Sequence, residues 1–361
     1  MAGCGSSSLH TTRFLLVSDM GNNRVLFYNS PFSMDQSASG VVGQGEFMTS
    51  GTALGPNTFN GPVNTAEDRF GNIYVSDLNQ NRVLQFRPPF PVPNDENASL
   101  VIGQPDFVTG TSNTTQNGLK QPGGAAFDAD GNLWVVDFGN NRILQYGPQL
   151  TTDMNASLVL GQANFTSNVP ATTNSGLAGP HYIAFDASGD LWVTDSGNNR
   201  VLEFKPPLAN GMTASLVIGQ ANFVSNGAAT TPMGLSFPTG VAFDSAGNLW
   251  AGDSANNRVL QFMPPFTNGM SASLVLGQAS FTTSAAATTQ SGLSGPFGIA
   301  FDSSGALAVA DSGNNRTLLF APAFGNNQNA TVVIGQADFT TGTAATTATG
   351  QTSPTAVIAA F

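Results

Sequence analysis

Short runs of alternating apolar and polar residues recur along the chain, each closed off by a cluster of Gly, Pro, Asn or Asp. Gly298–Phe301, Leu307–Ala310, Thr317–Ala321 and Ala330–Gly335 form one such set. Alternation at period two, bounded by turn residues, predicts four antiparallel strands in succession. The turns have the right chemistry. Asp302-Ser303-Ser304-Gly305 joins the first two strands, and Gly313-Asn314-Asn315 precedes Arg316. Gly and Asn tolerate positive φ, and Asp and Asn bond their own backbone. No long stretch shows the apolar spacing of a helix.

The same set repeats through the chain. The hexapeptide Asp-x-x-x-Asn-Arg starts at Asp19, Asp77, Asp137, Asp195, Asp253 and Asp311, a spacing of about 58 residues with one longer interval. After the arginines come Gly-Gln pairs, from Gly43-Gln44 to Gly335-Gln336. A Phe follows each pair (Phe47 to Phe339), and then a Pro (Pro62, Pro122, Pro180, Pro238, Pro296 and Pro354). The second unit carries a short insertion within Pro91–Asn97. In five units the next motif Asp lies fifteen residues beyond the Pro. Counted the same way, Pro354 points past the end of the chain and, one full circuit earlier, to Asp19. Phe361 therefore runs on in phase into Thr12. A ring must keep phase across its termini and an open solenoid need not.

These counts predict an all-β fold, a six-bladed β-propeller with four-stranded antiparallel blades. Its ring is closed by a C-terminal inner strand joining the N-terminal blade. Residues 13–361 make the propeller and residues 1–12 a flexible tail. Asp137-Phe138-Gly139-Asn140-Asn141-Arg142-Ile143-Leu144 resembles the NHL signature, as does Pro238–Trp250 with its Pro-x-Gly-x-Ala-Phe-Asp pattern. The resemblance covers residues 14–361. It implies the same propeller, although NHL units are shorter and the excess here lies between the Phe and the Pro.

Composition narrows the partners. Charged residues make up 9% of the chain and the formal net charge is −11. Of eleven Lys and Arg, six belong to the repeat, leaving Arg13, Arg69, Arg87, Lys120 and Lys205. A phosphate backbone demands more cations than that, so nucleic acid is not an expected partner. Gly 41 and Pro 21 suit many strands joined by tight turns. No apolar run reaches the length of a membrane span. The start, Met1-Ala2-Gly3-Cys4-Gly5-Ser6-Ser7-Ser8, resembles the end of a bacterial lipoprotein signal. It makes Cys4, the only cysteine, a lipidation candidate and places the protein outside the cytoplasm, in a bacterial envelope or secreted.

Repetition decides how candidate chemistry is read. Six equivalent Asp/Arg pairs are scaffold, because an active site needs one constellation in one place. Asp128 and Asp130 have the oxygen spacing that opens a Ca²⁺ loop, yet they sit in the hairpin turn that every unit shares. No other cofactor is expected. His10 and His181 are the only histidines, too few for the usual catalytic zinc site.

What departs from the repeat is the pair of positions after each Pro, at the start of the inner strand and hence at the channel mouth. Asn64, His181, Tyr182, Thr239 and Phe297 are the binding candidates there, against neutral variation on a solvated rim. The fourteen-residue connections such as Thr166–Gly179 and Thr282–Gly295 form a crown on one face. They are either a binding surface or packing built into the unit. The favoured function is a non-enzymatic scaffold that engages a protein or glycan through this face. The alternative is a lyase or lactonase-type hydrolase around His181.

Overall fold

The computed structural model describes residues 14–90 and 96–360; Cys4, His10, the tail over 1–12 and most of the second-unit insertion lie outside them. Six four-stranded antiparallel sheets are arranged as blades around one axis. Blade 4 is typical: inner strand Pro180–Phe185, then Leu191–Asp195, Arg200–Phe204 and the outer strand Leu216–Ile218. Blades 2, 3, 5 and 6 start their inner strands at Pro62, Pro122, Pro238 and Pro296.

Blade 1 draws on both ends of the chain. Pro354–Ala360 is its inner strand and pairs with Phe14–Asp19, from Phe14 opposite Ala360 to Asp19 opposite Pro354. Each inner strand packs on that of the next blade, and Pro354–Ala360 returns to Pro62–Glu67, closing the ring. The counted phase is realised as strand pairing.

The hydrophobic core lies between blades. Trp134, Trp192 and Trp250 are fully buried, with ring edges against Phe185, Phe243 and Phe301 of the following blade. Each indole N–H also donates to the Asp of its own hairpin turn: Asp128, Asp186 or Asp244, at 2.8–3.0 Å. Asp128 further accepts the backbone N–H groups of Asp130 and Asn132 and the Asn132 amide. Its oxygens are engaged by the turn and by the tryptophan, and Asp130 is exposed.

The Asp/Arg pairs stitch the crown to the blades. Arg200 is fully buried; its Nε donates to Asp195 at 2.7 Å, and its Nη2 to the carbonyls of Thr173 and Gly176 at 2.8 and 3.0 Å. Its Nη1 reaches the Phe223 carbonyl. One guanidinium thereby holds both crown connections that flank its blade. Gln220 donates to the carbonyls of Asn199 and Gly227 and pins the next turn of the loop. The crown is thus built into the scaffold, which answers the packing half of the question its constant length raised.

Five blades add an Asn amide to the motif Asp, as Asn198 does to Asp195 at 2.8 Å. Blade 2 has Gln80 there, whose amide turns to the Ala53 carbonyl instead. Burial pushes the motif carboxyl up in every blade, Asp77 to about 7, against the opposing pull of its arginine and, outside blade 2, of the Asn amide. A carboxyl held above its unfolded value binds more protons folded than unfolded, so its contribution to stability is lost as pH rises from about 4 to about 7. Gln80→Asn restores the donor and is expected to add about 1–2 kcal/mol at neutral pH. It should also flatten that pH slope. Urea midpoints on either side of the window check both; an unchanged midpoint at neutral pH would refute the assignment.

The outer strands of blades 3, 4 and 5 are covered by a loop of the following blade. Asn210 of blade 4 accepts the Val159 N–H of blade 3 at 2.9 Å, and Gly211 donates to the Val159 carbonyl. Asn268 and Asn326 do the same for Val217 and Val275. Unpaired strand edges invite foreign strands, and these loops block them.

Candidate functional site

Each inner strand bulges just after its first residue. In blade 4, Pro180 faces Asp195, but regular pairing resumes only at Ile183 opposite Val193. His181 and Tyr182 fall in the irregularity, and the Tyr182 N–H goes to the Thr194 hydroxyl instead of the ladder. A bulge breaks the alternation and re-aims side chains. This is why the two positions after each Pro vary: they stand outside the regular pairing of their own sheet.

At the second of these positions the ring is pinched shut. A Cβ on Gly124 would lie 2.8 Å from the Tyr182 Cα, and one on Gly240 would lie 2.4 Å from the Phe297 carbonyl oxygen. Asn64 accepts the Ala125 N–H at 3.0 Å, and Thr239 donates toward the Pro296 and Phe297 carbonyls at 3.1 and 3.0 Å. Tyr182 reaches across the axis from blade 4. Its hydroxyl lies 2.9 Å from the Val63 carbonyl of blade 2 and 2.5 Å from the Thr355 carbonyl of blade 1. The tyrosine is a plug.

Above the plug, on the crown side, is a recess of 330 Å³, at the small end of the ~300–1,000 Å³ typical of ligand sites. His181, Tyr182 and Phe297 line it; Asn64 and Thr239, expected to join them, are absorbed in the ring below. Sequence reasoning missed Met20, Leu78, Phe138 and Ser312, which line the recess as well, as does Ser353. The first four share one place in the repeat, directly after the motif Asp. There blades 1 to 3 carry Met, Leu and Phe while blades 4 to 6 carry Ser. That departure was a readable signal inside a motif classed whole as scaffold.

His181 is half-buried among phenylalanines, with ring centroids 4.6 Å from Phe138, 4.9 Å from Phe237 and 5.7 Å from Phe297. Its Nδ1 lies 3.2 Å from the Gly179 carbonyl. A carbonyl only accepts, so Nδ1 carries the proton and Nε2 is the acceptor of a neutral ring. Burial drives its pKa down to about 4, outweighing the Gly179 bond that pushes it up. Among the described residues, no carboxylate, lysine or arginine lines the recess. It therefore has no acid to pair with His181 and no countercharge for an ionic ligand.

The other end of the axis opens as a separate depression of 560 Å³, lined by Thr65, Glu67, Arg69, Phe127 and Ile358 among others. On that side of blade 4, carboxylate oxygens of Asp186, Asp190 and Glu203 lie within 4.8 Å of one another. Lys205 approaches Glu203 and Asp190 at 3.6 and 3.9 Å, and the Ser215 hydroxyl donates to Glu203 at 2.5 Å. Other blades hold Asn and Gln there, such as Asn132 and Gln145, so Lys205 balances a local exchange of amides for acids.

The family model described as NHL repeat matches residues 119–146, 177–204 and 235–262. Each match takes in the first three strands of blades 3, 4 and 5 in turn. The chain thus carries NHL repeats within a six-bladed ring. It is similar to peptidyl-glycine alpha-amidating monooxygenase B of Xenopus laevis, 28% identical over 137 residues, which is 37% of this chain and 14% of that protein. A chain of the nidogen/laminin complex shares the fold with TM-score 0.58 and 15% identity, over 96% of this chain and 98% of that one. So does a protein of unknown function from Bacteroides caccae, with TM-score 0.53 and 11% identity over 90% and 98%. At these identities the structural likeness speaks to the fold alone.

Proposed function

We propose that this ring of NHL repeats is a non-enzymatic binding module, acting outside the cytoplasm, that receives an apolar group of its partner in the crown-side recess. The observation that carries the reading is the disposal of polar groups at the mouth. Tyr182, Thr239 and Asn64 all bond inward to the ring, and the wall left facing a ligand is mostly apolar: Met20, Leu78, Phe138, Phe297 and the edge of His181, with the hydroxyls of Ser312 and Ser353 beside them. Apolar walls with few polar groups are what binding sites use to desolvate a ligand.

Of protein and glycan, this surface suits protein, since a sugar brings hydroxyls that such walls leave unpaired. A propeller of the same architecture takes part in the nidogen/laminin complex, a protein assembly, which agrees with that choice. The hydrolase or lyase alternative needs a second titratable group beside His181, and the lining supplies none.

Toluene is a sufficient probe. It should bind the wild-type protein measurably by ligand-observed NMR, with no turnover of lactone or ester substrates. Ser312→Phe gives blade 6 the side chain that blade 3 already carries at that repeat position. It should weaken toluene binding about tenfold or more by filling the recess, with the thermal midpoint unchanged. Wild-type protein that ignores toluene, or a Ser312→Phe variant that binds it equally well, would refute the reading.

A further inference from the structure

Beside the hydroxyls of Ser312 and Ser353, which can donate as well as accept, one polar atom of this mostly apolar wall can only accept, and it says more about the ligand than the wall does. His181 donates from Nδ1 to Gly179, and Nε2 has no partner among the described residues. Nor is that nitrogen among the buried side-chain atoms that lack a partner, a class that holds Ser76 Oγ and Tyr146 Oη; it is open to the outside. Three phenylalanines fix the ring that carries it, so the acceptor is held in place before any ligand arrives.

We propose that the recess receives one aromatic side chain bearing a hydrogen-bond donor, a tyrosine or tryptophan of a partner protein, whose O–H or N–H is accepted by His181 Nε2. This rests on the binding-module reading above. A volume of 330 Å³ accommodates one large side chain rather than a folded segment. A tyrosine or tryptophan also combines apolar area with a polar tip at little cost in conformational freedom. With no charged group in the wall, phenylacetate and benzylamine are poor ligands.

The sign of a preference tests this. An apolar recess without an acceptor binds p-cresol more weakly than toluene, because the hydroxyl loses water and gains nothing. With Nε2 as acceptor, p-cresol should bind about threefold to tenfold more tightly than toluene. His181→Phe preserves ring volume among the three phenylalanines and removes the acceptor; it should reverse the order of the two probes.

A second measurement does not depend on that variant. Only two histidines exist, so ¹⁵N-histidine labelling yields few signals. The His181 Nε2 resonance should move with p-cresol and stay put with toluene. N-acetyltyrosinamide should show the same preference over N-acetylphenylalaninamide.

Toluene binding without a p-cresol preference, or with a preference that survives His181→Phe, overturns the proposal and leaves the binding-module reading standing. Failure of both probes overturns both. Binding of p-cresol but not of N-acetyltyrosinamide makes the recess a small-molecule site and refutes a partner side chain as occupant.

Discussion

Arg200→Met is expected to cost about 3–5 kcal/mol of folding stability, enough to threaten the fold at 37 °C. The arginine is fully buried, and its removal leaves the Asp195 carboxylate in the interior without its cation. It also strands the carbonyls of Thr173, Gly176 and Phe223, which anchor the crown connections on both sides of blade 4. Losing one partner of a buried pair is far worse than losing the pair, because the remaining charge has no water to return to. Asp195→Asn combined with Arg200→Met should therefore recover part of the loss. Guanidinium midpoints for the single and double variants, with unchanged denaturant slope, make the comparison. A single variant within about 1 kcal/mol of wild type would show that the pair is dispensable. A double variant no better than the single would place the cost in the stranded carbonyls.

Gly240→Ala is the second large effect, about 3 kcal/mol, the upper end of what overpacking usually costs. The added methyl would sit 2.4 Å from the Phe297 oxygen, 2.8 Å from the Ile299 nitrogen and 3.1 Å from the Gly298 Cα. All three atoms are backbone of the adjacent inner strand, so no rotamer change relieves the contact, and blades 5 and 6 must move apart. Phe297 rides on that strand, so the recess should loosen along with the ring. Gly227→Ala is the control. Nothing lies within 4 Å of its added Cβ, and its midpoint should stay within about 0.5 kcal/mol of wild type. Equal behaviour of the two variants would mean that the inner strands do not touch where the structure has them touching.

The fold was legible because a ring imposes arithmetic on a sequence. The spacing from Pro354 back to Asp19 required a strand from the C-terminus beside Phe14–Asp19, and the pairing of Phe14 with Ala360 supplies it. The site was legible only in part. His181 and Phe297 stood out because they break a small-residue pattern, and both line the recess. Tyr182 stood out for the same reason but serves to seal the axis. Its carbonyl partners Val63 and Thr355 lie on blades 2 and 1, and no local pattern marks a contact made across the ring. Thr239 and Asn64 are absorbed into bonds between neighbouring inner strands, again visible only once the bulge sets their direction. Met20, Leu78 and Phe138 were overlooked because the aspartate before them is so regular that the whole hexapeptide reads as framework.

The shared blade also sets an order in time. Synthesis runs from the N-terminus, and upstream structure forms while later residues are still being added. Blades 2 to 6 each draw their four strands from one continuous stretch, so each is complete soon after it leaves the ribosome. Phe14–Asp19 instead waits for Pro354–Ala360, which is made only after blades 2 to 6. The blade translated first is the last to be finished. Until then its innermost edge is an open template beside a growing chain that repeats its natural partner five times over. The fidelity of closure then depends on distinguishing the true sixth inner strand from five earlier look-alikes, and Val357-Ile358-Ala359-Ala360, unlike the Ala-Phe-Asp endings of blades 3 to 6, gives that strand a face of its own.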